Sequence, residues 1–242
     1  MPDQPPAQPQ HLVKSYEAEL QRLRSLLAQM GGLVENQVVQ ATRGLVEKDS
    51  DAAASVVEDD PKVDALETEI EQFVIRLLAL RQPLAADLRL IVGAMKIIGD
   101  LERVGDYAAN VGKRSIVLLQ FPLPFSLNGI AQMARLVQQN LRLVIDSIED
   151  GDLAKMIHVW RSDAEIDDLY NALFRELITY MMEDPRNITP CAHLLFIAKN
   201  MERIGDHATN IAETMYYAIT GEELPEARPK GDNTAYAVVR GP

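Results

Sequence analysis

Two ten-residue segments, one hundred residues apart, carry the side chains of this chain that could do chemistry. Residues 102–111 read ERVGDYAANV and residues 202–211 read ERIGDHATNI; six of the ten positions are identical and two more exchange Val for Ile. Each holds a Glu-x-x-x-Asp, pairing Glu102 with Asp106 and Glu202 with Asp206. On a helix that spacing sets both carboxylates on one face, one turn apart, where like charges destabilise by roughly a few tenths of a kcal/mol. Something has to offset the repulsion. Upstream, Asp60 with Asp64 and Asp163 with Asp167 show the same spacing, at an offset of 103. If neighbouring helices bring these pairs together, each half presents a cluster of carboxylate oxygens, the donor set of hard or borderline cations such as Mg, Mn, Fe or Zn. The spacing does not choose among those metals.

Each residue has a plainer reading. Asp60, followed by Pro61, and Asp163 serve equally well as helix N-caps. Glu102 can pair with Arg103 on a solvated face. The register favours a site, because Glu, Arg, Gly, Asp, Ala and Asn recur in step in both halves. Gly105 and Gly205 each cost about 1 kcal/mol in a helix interior, which points to close helix approach beside the acidic pairs. By the angular step of a helix, Glu102 is expected at the edge of the buried face, with Asp106 and Asn110 further round toward solvent.

Other chemistry is missing from the sequence. It has no Gly-rich phosphate loop, no Cys-x-x-Cys and no G-x-S-x-G turn. It also lacks the Glu-x-x-His pairs of di-iron bundles. Of the four histidines, His11 lies near a tail, His158 and His193 have no acidic neighbour at ligand spacing, and His207 is expected as a surface or helix-packing residue rather than a ligand. Arg103 and Arg203 stand among acids, an unfavourable setting for an anion. Cys191 is expected as a small buried apolar side chain. No catalytic residue is expected, and the chain reads as a non-enzyme.

The elements that position the motifs are helical. Ile97, Leu101, Val104, Ala108, Val111, Ser115 and Leu118 recur at steps of four and three, as do Val63, Leu66, Ile70, Phe73, Leu77 and Leu80. Asp49 with Ser50, Asp60 before Pro61, and Asp184 before Pro185 read as N-caps. Six helices are predicted, at about 10–48, 51–81, 84–119, 126–149, 152–183 and 187–219. The repeat divides them into two tandem three-helix bundles, all-α, spanning residues 11–121 and 125–220, with the Pro-rich Phe121–Pro124 stretch as the joint. Residues 1–10 and 221–242 read as loose tails.

The chain has 36 acidic against 24 basic side chains, a net charge of -12. That charge disfavours nucleic acid and anionic membrane surfaces as partners. It is also localised. Residues 47–71 carry a net -8 and residues 146–168 a net -6, leaving +2 for the rest. Two acidic patches related by the repeat are expected, attractive to cations or to a basic partner surface. No apolar run approaches the roughly 20 residues of a membrane span, and the N-terminus lacks signal-peptide character, so a soluble cytoplasmic protein is expected.

The two motifs, with LALRQPLAADLRLI from Leu78, resemble the PhoU family of phosphate-uptake regulators over about residues 11–220. The resemblance implies a cytoplasmic negative regulator of phosphate uptake and of the phosphate-starvation response. It would act as an adaptor between the phosphate ABC transporter, through the ATPase subunit PstB, and the sensor histidine kinase PhoR. Contact with the membrane would be only indirect, through those partners. It also implies multinuclear iron or zinc clusters in some members and none in others. Carried over by position, the candidate ligands are Glu102, Asp106, Glu202 and Asp206, with Asp60, Asp64, Asp163 and Asp167. A metal-dependent enzyme or metal store on the same carboxylates is the competing class. A homodimer is expected, twofold assemblies being the commonest. The halves differ: Lys113 stands where the second has Glu213, and Glu67 and Glu71 correspond to Tyr170 and Phe174. Two sites so built should not be equivalent.

Overall fold

The computed structural model describes residues 9–123 and 126–224, with backbone alone for 9–14. The tail segments 1–8 and 225–242 and the end of the central joint, 124–125, lie outside the described residues. Six long helices follow one another: α1 (Pro9–Val46), α2 (Ser50–Arg81), α3 (Ala85–Leu118), α4 (Asn128–Asp150), α5 (Leu153–Glu183) and α6 (Ile188–Thr220), with a short 3-10 turn at Pro185–Asn187 before α6. No strand occurs among the described residues. None of their helices is long and apolar enough to cross a membrane.

Local chemistry sets the helix ends. The Asp49 carboxylate accepts from the N–H groups of Asp51 and Ala52 at 3.1 and 3.0 Å, capping α2. Asp152 does the same for α5 through Ala154 N–H at 2.8 Å. Asp184 accepts from Arg186 N–H at 2.9 Å, with Pro185 in the first position of the turn that leads into α6. Gly151 and Gly221 close α4 and α6 with left-handed φ angles of 68° and 78°, which favour glycine.

Two of the expected caps are not caps. Asp60 and Pro61 lie well inside α2, and Asp163 well inside α5. The helix nucleated at Asp49 runs through Pro61, which removes one backbone hydrogen bond without ending it. Both aspartates are thereby released from capping and turned toward their neighbours.

Every position of the seam from Ile97 to Leu118 is buried, and so is the second seam up to Leu77. Leu80 departs from it. It is 69% exposed, in the last turn before α2 ends at Arg81. Within each half the three helices pack on one another. The halves are then joined by their own last helices, α3 against α6, the most extensive helix pair, with α1 against α4 beside it. The expected tandem bundles are therefore present, and one hydrophobic core runs through both.

Candidate functional site

In the first half the acidic residues line one corner between α2 and α3. Burial pushes the Asp60 carboxyl above its usual range, the charges of Asp106 and Asp64 add to this, and the Gln37 amide and Lys113 pull the other way. Burial, Asp106, Glu67 and Asp64 raise Glu102 against the pull of Arg103. Burial, Glu71, Asp64 and Asp106 likewise raise Glu67. Six carboxylates thus enter one another's electrostatics. Arg103 lies 3.6 Å from Glu102, the local pairing that the sequence allowed. Glu102 and Asp106 are half-buried and Asn110 is exposed, as the helical step predicts.

Gly105 lets α3 approach. A Cβ there would stand 3.0 Å from Gln37 Oε1, 3.5 Å from Val63 Cγ1 and 3.7 Å from Asp60 Oδ1. Gln37 is buried and donates to the Val56 carbonyl at 3.4 Å, while its Oε1 has no hydrogen-bond partner.

The second half is built differently. Glu202, Asp163 and Asp167 are all buried, at 4%, 3% and 4% exposure. Glu202 thus lies deeper than Glu102, and Tyr170 and Phe174, which replace Glu67 and Glu71, form an aromatic pair with ring centroids 6.4 Å apart. Asp163 accepts from the Thr209 hydroxyl at 3.1 Å, an α5–α6 bond with no counterpart at Ala109. Lys199 donates to Glu202 Oε1 at 2.8 Å, and its ammonium lies 4.8 Å from the centre of the Tyr170 ring. Glu202 Oε2 is buried without a hydrogen-bond partner. Burial, with Asp206 and Asp167, pushes the Glu202 carboxyl up to about 7, against Lys199. Gly205 again marks close approach, with Ile166 Cδ1 2.7 Å from a Cβ placed on it.

Between the halves, His207 Nδ1 lies 2.7 Å from Asp100 Oδ1, and Asn210 donates to the same oxygen at 3.3 Å. The His207 ring tilts against Tyr107, centroids 5.6 Å apart. Of the two readings of His207, surface or helix-packing, the second is the one observed. Cys191 is buried too, its thiol pushed to about 11 by burial.

Sequence reasoning passed over Lys199, Asp100 and a pair of buried amides. Gln37 and Asn140 are related by the same offset of 103 as Asp60 and Asp163, and each keeps a buried carbonyl oxygen without a partner. The repeat alignment held the signal for all of these. A cavity of about 800 Å³ opens between α3, α5 and α6, lined by Arg89, Lys96, Trp160 and Glu213 among others. None of the eight acidic candidates lines it.

As a metal centre the acidic corners have suitable chemistry and incomplete geometry. The donors are carboxylate oxygens whose mutual repulsion favours a cation. Among the described residues, however, no three His, Cys, Asp or Glu side chains converge so as to hold an ion as they stand. Side-chain rotation would have to bring them together.

Two segments of the chain, residues 27–115 and 130–215, match the PhoU domain. The phosphate-specific transport system accessory protein PhoU homolog of Caulobacter vibrioides is 50% identical over 224 residues, 92% of this chain and 97% of that protein. Its namesake from Zymomonas mobilis is 46% identical over 89% of this chain and 91% of its own length. The crystal structure of PhoU from Pseudomonas aeruginosa superposes with a TM-score of 0.83 at 39% identity, covering 86% of this chain and all of that one. The phosphate transport system regulatory protein PhoU from Streptococcus pneumoniae superposes with a TM-score of 0.79 at 29% identity, covering 87% of this chain and all of that one.

Proposed function

The chain belongs to the PhoU family, and from that premise we propose that it is a non-enzymatic accessory protein of a phosphate transport system. In this reading it is a cytoplasmic negative regulator of phosphate uptake and of the phosphate-starvation response. It joins the transporter ATPase PstB to the sensor kinase PhoR, and it meets the membrane only through them. The observation that carries the reading is the match of both halves to one domain, together with half-identity to an accessory protein across nearly its whole length.

The physical features support an adaptor. Long helices with a shared core make a stiff body, and the acidity gathered on α2 and α5 offers surfaces for a basic partner. The carboxylates Asp60, Asp64, Glu102 and Asp106, and in the second half Asp163, Asp167, Glu202 and Asp206, are the places where a divalent, iron or zinc cation would be received. Such an ion would neutralise the motif and tie α2 to α3. We place no reaction there.

The test is co-purification of the intact protein with the transporter ATPase and with the cytoplasmic part of the kinase, at high and at low phosphate. Retention of both partners, with at least one interaction changing with phosphate, is expected. Failure to retain either partner at either phosphate level overturns the adaptor role.

A further inference from the structure

We infer that the groove bordered by α3, α5 and α6 is a docking site for an amphipathic helix of a partner protein, one with an apolar stripe and acidic side chains along the flank that meets α3. The inference deepens the adaptor reading and rests on it, by naming a surface through which a partner is held.

Three observations carry it. First, a helix face is left uncovered. Leu84, Leu88 and Val92 follow one another at steps of four at the start of α3, and they are 80%, 39% and 45% exposed. Leu88 and Val92, with Tyr217 of α6 and Trp160 of α5, line the cavity of about 800 Å³. From Leu84 to Lys96 the face runs for about 18 Å, the length of roughly three helical turns. A stripe of that length suits the spaced apolar anchors of a helix laid in a groove.

Second, the chain fills the equivalent place at the other end of the join between the halves. There α3 and α6 pack antiparallel, and at the open end Gly93 faces Thr214, with 3.4 Å between a Cβ placed on the glycine and Thr214 Cγ2. Their repeat counterparts, His193 and Arg114, meet in the same way, Nδ1 to Nη1 at 3.5 Å, and the Arg114 guanidinium lies over the Phe196 ring, 4.1 Å from its centre. Lys96 is the counterpart of Phe196. Three bulky side chains thus close one end, while a glycine, a threonine and a lysine leave the other open.

Third, the groove carries a directed charge. Its α3 wall brings Arg89 and Lys96 to the surface of a chain whose net charge is -12. Arg89 is anchored, its Nε donating to the Ala218 carbonyl at 3.4 Å, and Lys96 is exposed. The acids of the lining, Glu213 and Glu223, stand on and after α6, and Glu213 already accepts from Trp160 Nε1–H at 3.2 Å. Carboxylates of a partner are drawn to the α3 wall and repelled from the other, which fixes the way round it lies. The chain's own residues 225–242 do not match this pattern, since their apolar run Tyr236–Val239 is followed by Arg240 and has no acid beside it.

Trp160 is the single tryptophan of the chain, so fluorotryptophan labelling places one fluorine resonance in the groove. The full chain so labelled is titrated with the purified transporter ATPase and with the cytoplasmic part of the kinase. Binding of at least one of them is expected to move the resonance. Val92→Asp and Lys96→Glu are expected to weaken that binding by roughly tenfold or more, and Ile75→Asp, exposed on α2 outside the groove, by less than about twofold. Lys96→Glu changes an exposed position, so it carries the test even if Val92→Asp disturbs the fold. A bound partner that leaves the resonance unmoved, or that binds Lys96→Glu as tightly as the wild type, overturns the docking site and leaves the adaptor reading standing. Binding of neither partner overturns both. A resonance that moves with the chain's own concentration, or on deletion of residues 225–242 from the isolated chain, gives the groove to a second copy or to the chain's own end and overturns the partner assignment.

Discussion

Glu202 places a carboxylate almost wholly out of water, with one oxygen on Lys199 and the other without a hydrogen-bond partner. Burial, helped by Asp206 and Asp167, moves its pKa from 4.5 to about 7 despite Lys199. An acid whose folded-state pKa is raised holds its proton more tightly folded than unfolded. Its contribution to stability is therefore greatest below pH 4.5, falls as pH rises, and levels off above about 7. The gap corresponds to about 3 kcal/mol across that window. Asp60, Glu67 and Glu102 are raised in the same sense and add to the slope. With chelator present, urea unfolding of the wild type at about pH 5 and about pH 8 should show this loss. Glu202→Gln, which has no proton to give up, should lose clearly less over the same interval. Parallel behaviour of the two proteins would mean that Glu202 is ionised throughout and that burial does not govern it.

At the scale of elements, the tightest approach in the first half lies beyond the motif glycines, where α1 and α3 close on α2 around Ala53. A Cβ on Gly112 would stand 2.7 Å from the Ala53 carbonyl oxygen, and one on Gly44 2.9 Å from the Ala53 nitrogen. Backbone atoms cannot swing aside as the Gln37 or Ile166 side-chain ends can, so Gly112→Ala must push two helices apart. A loss of about 1–3 kcal/mol is expected from such overpacking, exceeding the roughly 1 kcal/mol that alanine gains in helix propensity. Gly99→Ala, where the space is open, should be neutral or stabilising. Denaturant midpoints of the two variants check both signs. The same elements show why the helices were legible in sequence and some contacts were not. Apolar spacing and Asp caps act within one helix, and they placed α2 and α5 to within a residue or two of their ends. Whether Asp60 caps a helix or faces its neighbour depends on whether the helix begun at Asp49 survives Pro61. Packing from α1 and α3 bears on that outcome, and a local pattern does not hold it. Leu80 fits the seam by spacing and is exposed, since among the described residues no partner helix buries it.

For the whole molecule, the repeat made the two motifs legible, and the positions where it breaks made them unequal in sequence already. The exchange of Glu67 and Glu71 for Tyr170 and Phe174 carried that expectation, and burial follows the same residues, whereas Lys199 against Gly99 was passed over. Concentration of the acidity on α2 and α5 likewise follows from sequence, but the joining of the halves through α3 and α6 does not. That seam determines how the molecule unfolds. Because the core is continuous across it, neither half keeps its buried face once the other is lost, so calorimetry should give one transition with matching van't Hoff and calorimetric enthalpies. Asp100 is the polar centre of the seam, accepting from Asn210 and paired with His207 while only 16% exposed. Asp100→Ala removes the acceptor that His207 and Asn210 share across the two halves, at an expected cost of about 1–3 kcal/mol. If the seam couples the halves, that cost lowers the melting temperature of the single transition and leaves its shape intact. Two resolved transitions, in the wild type or in the variant, would instead mean that each three-helix unit is stable by itself and that the interface is only a docking contact.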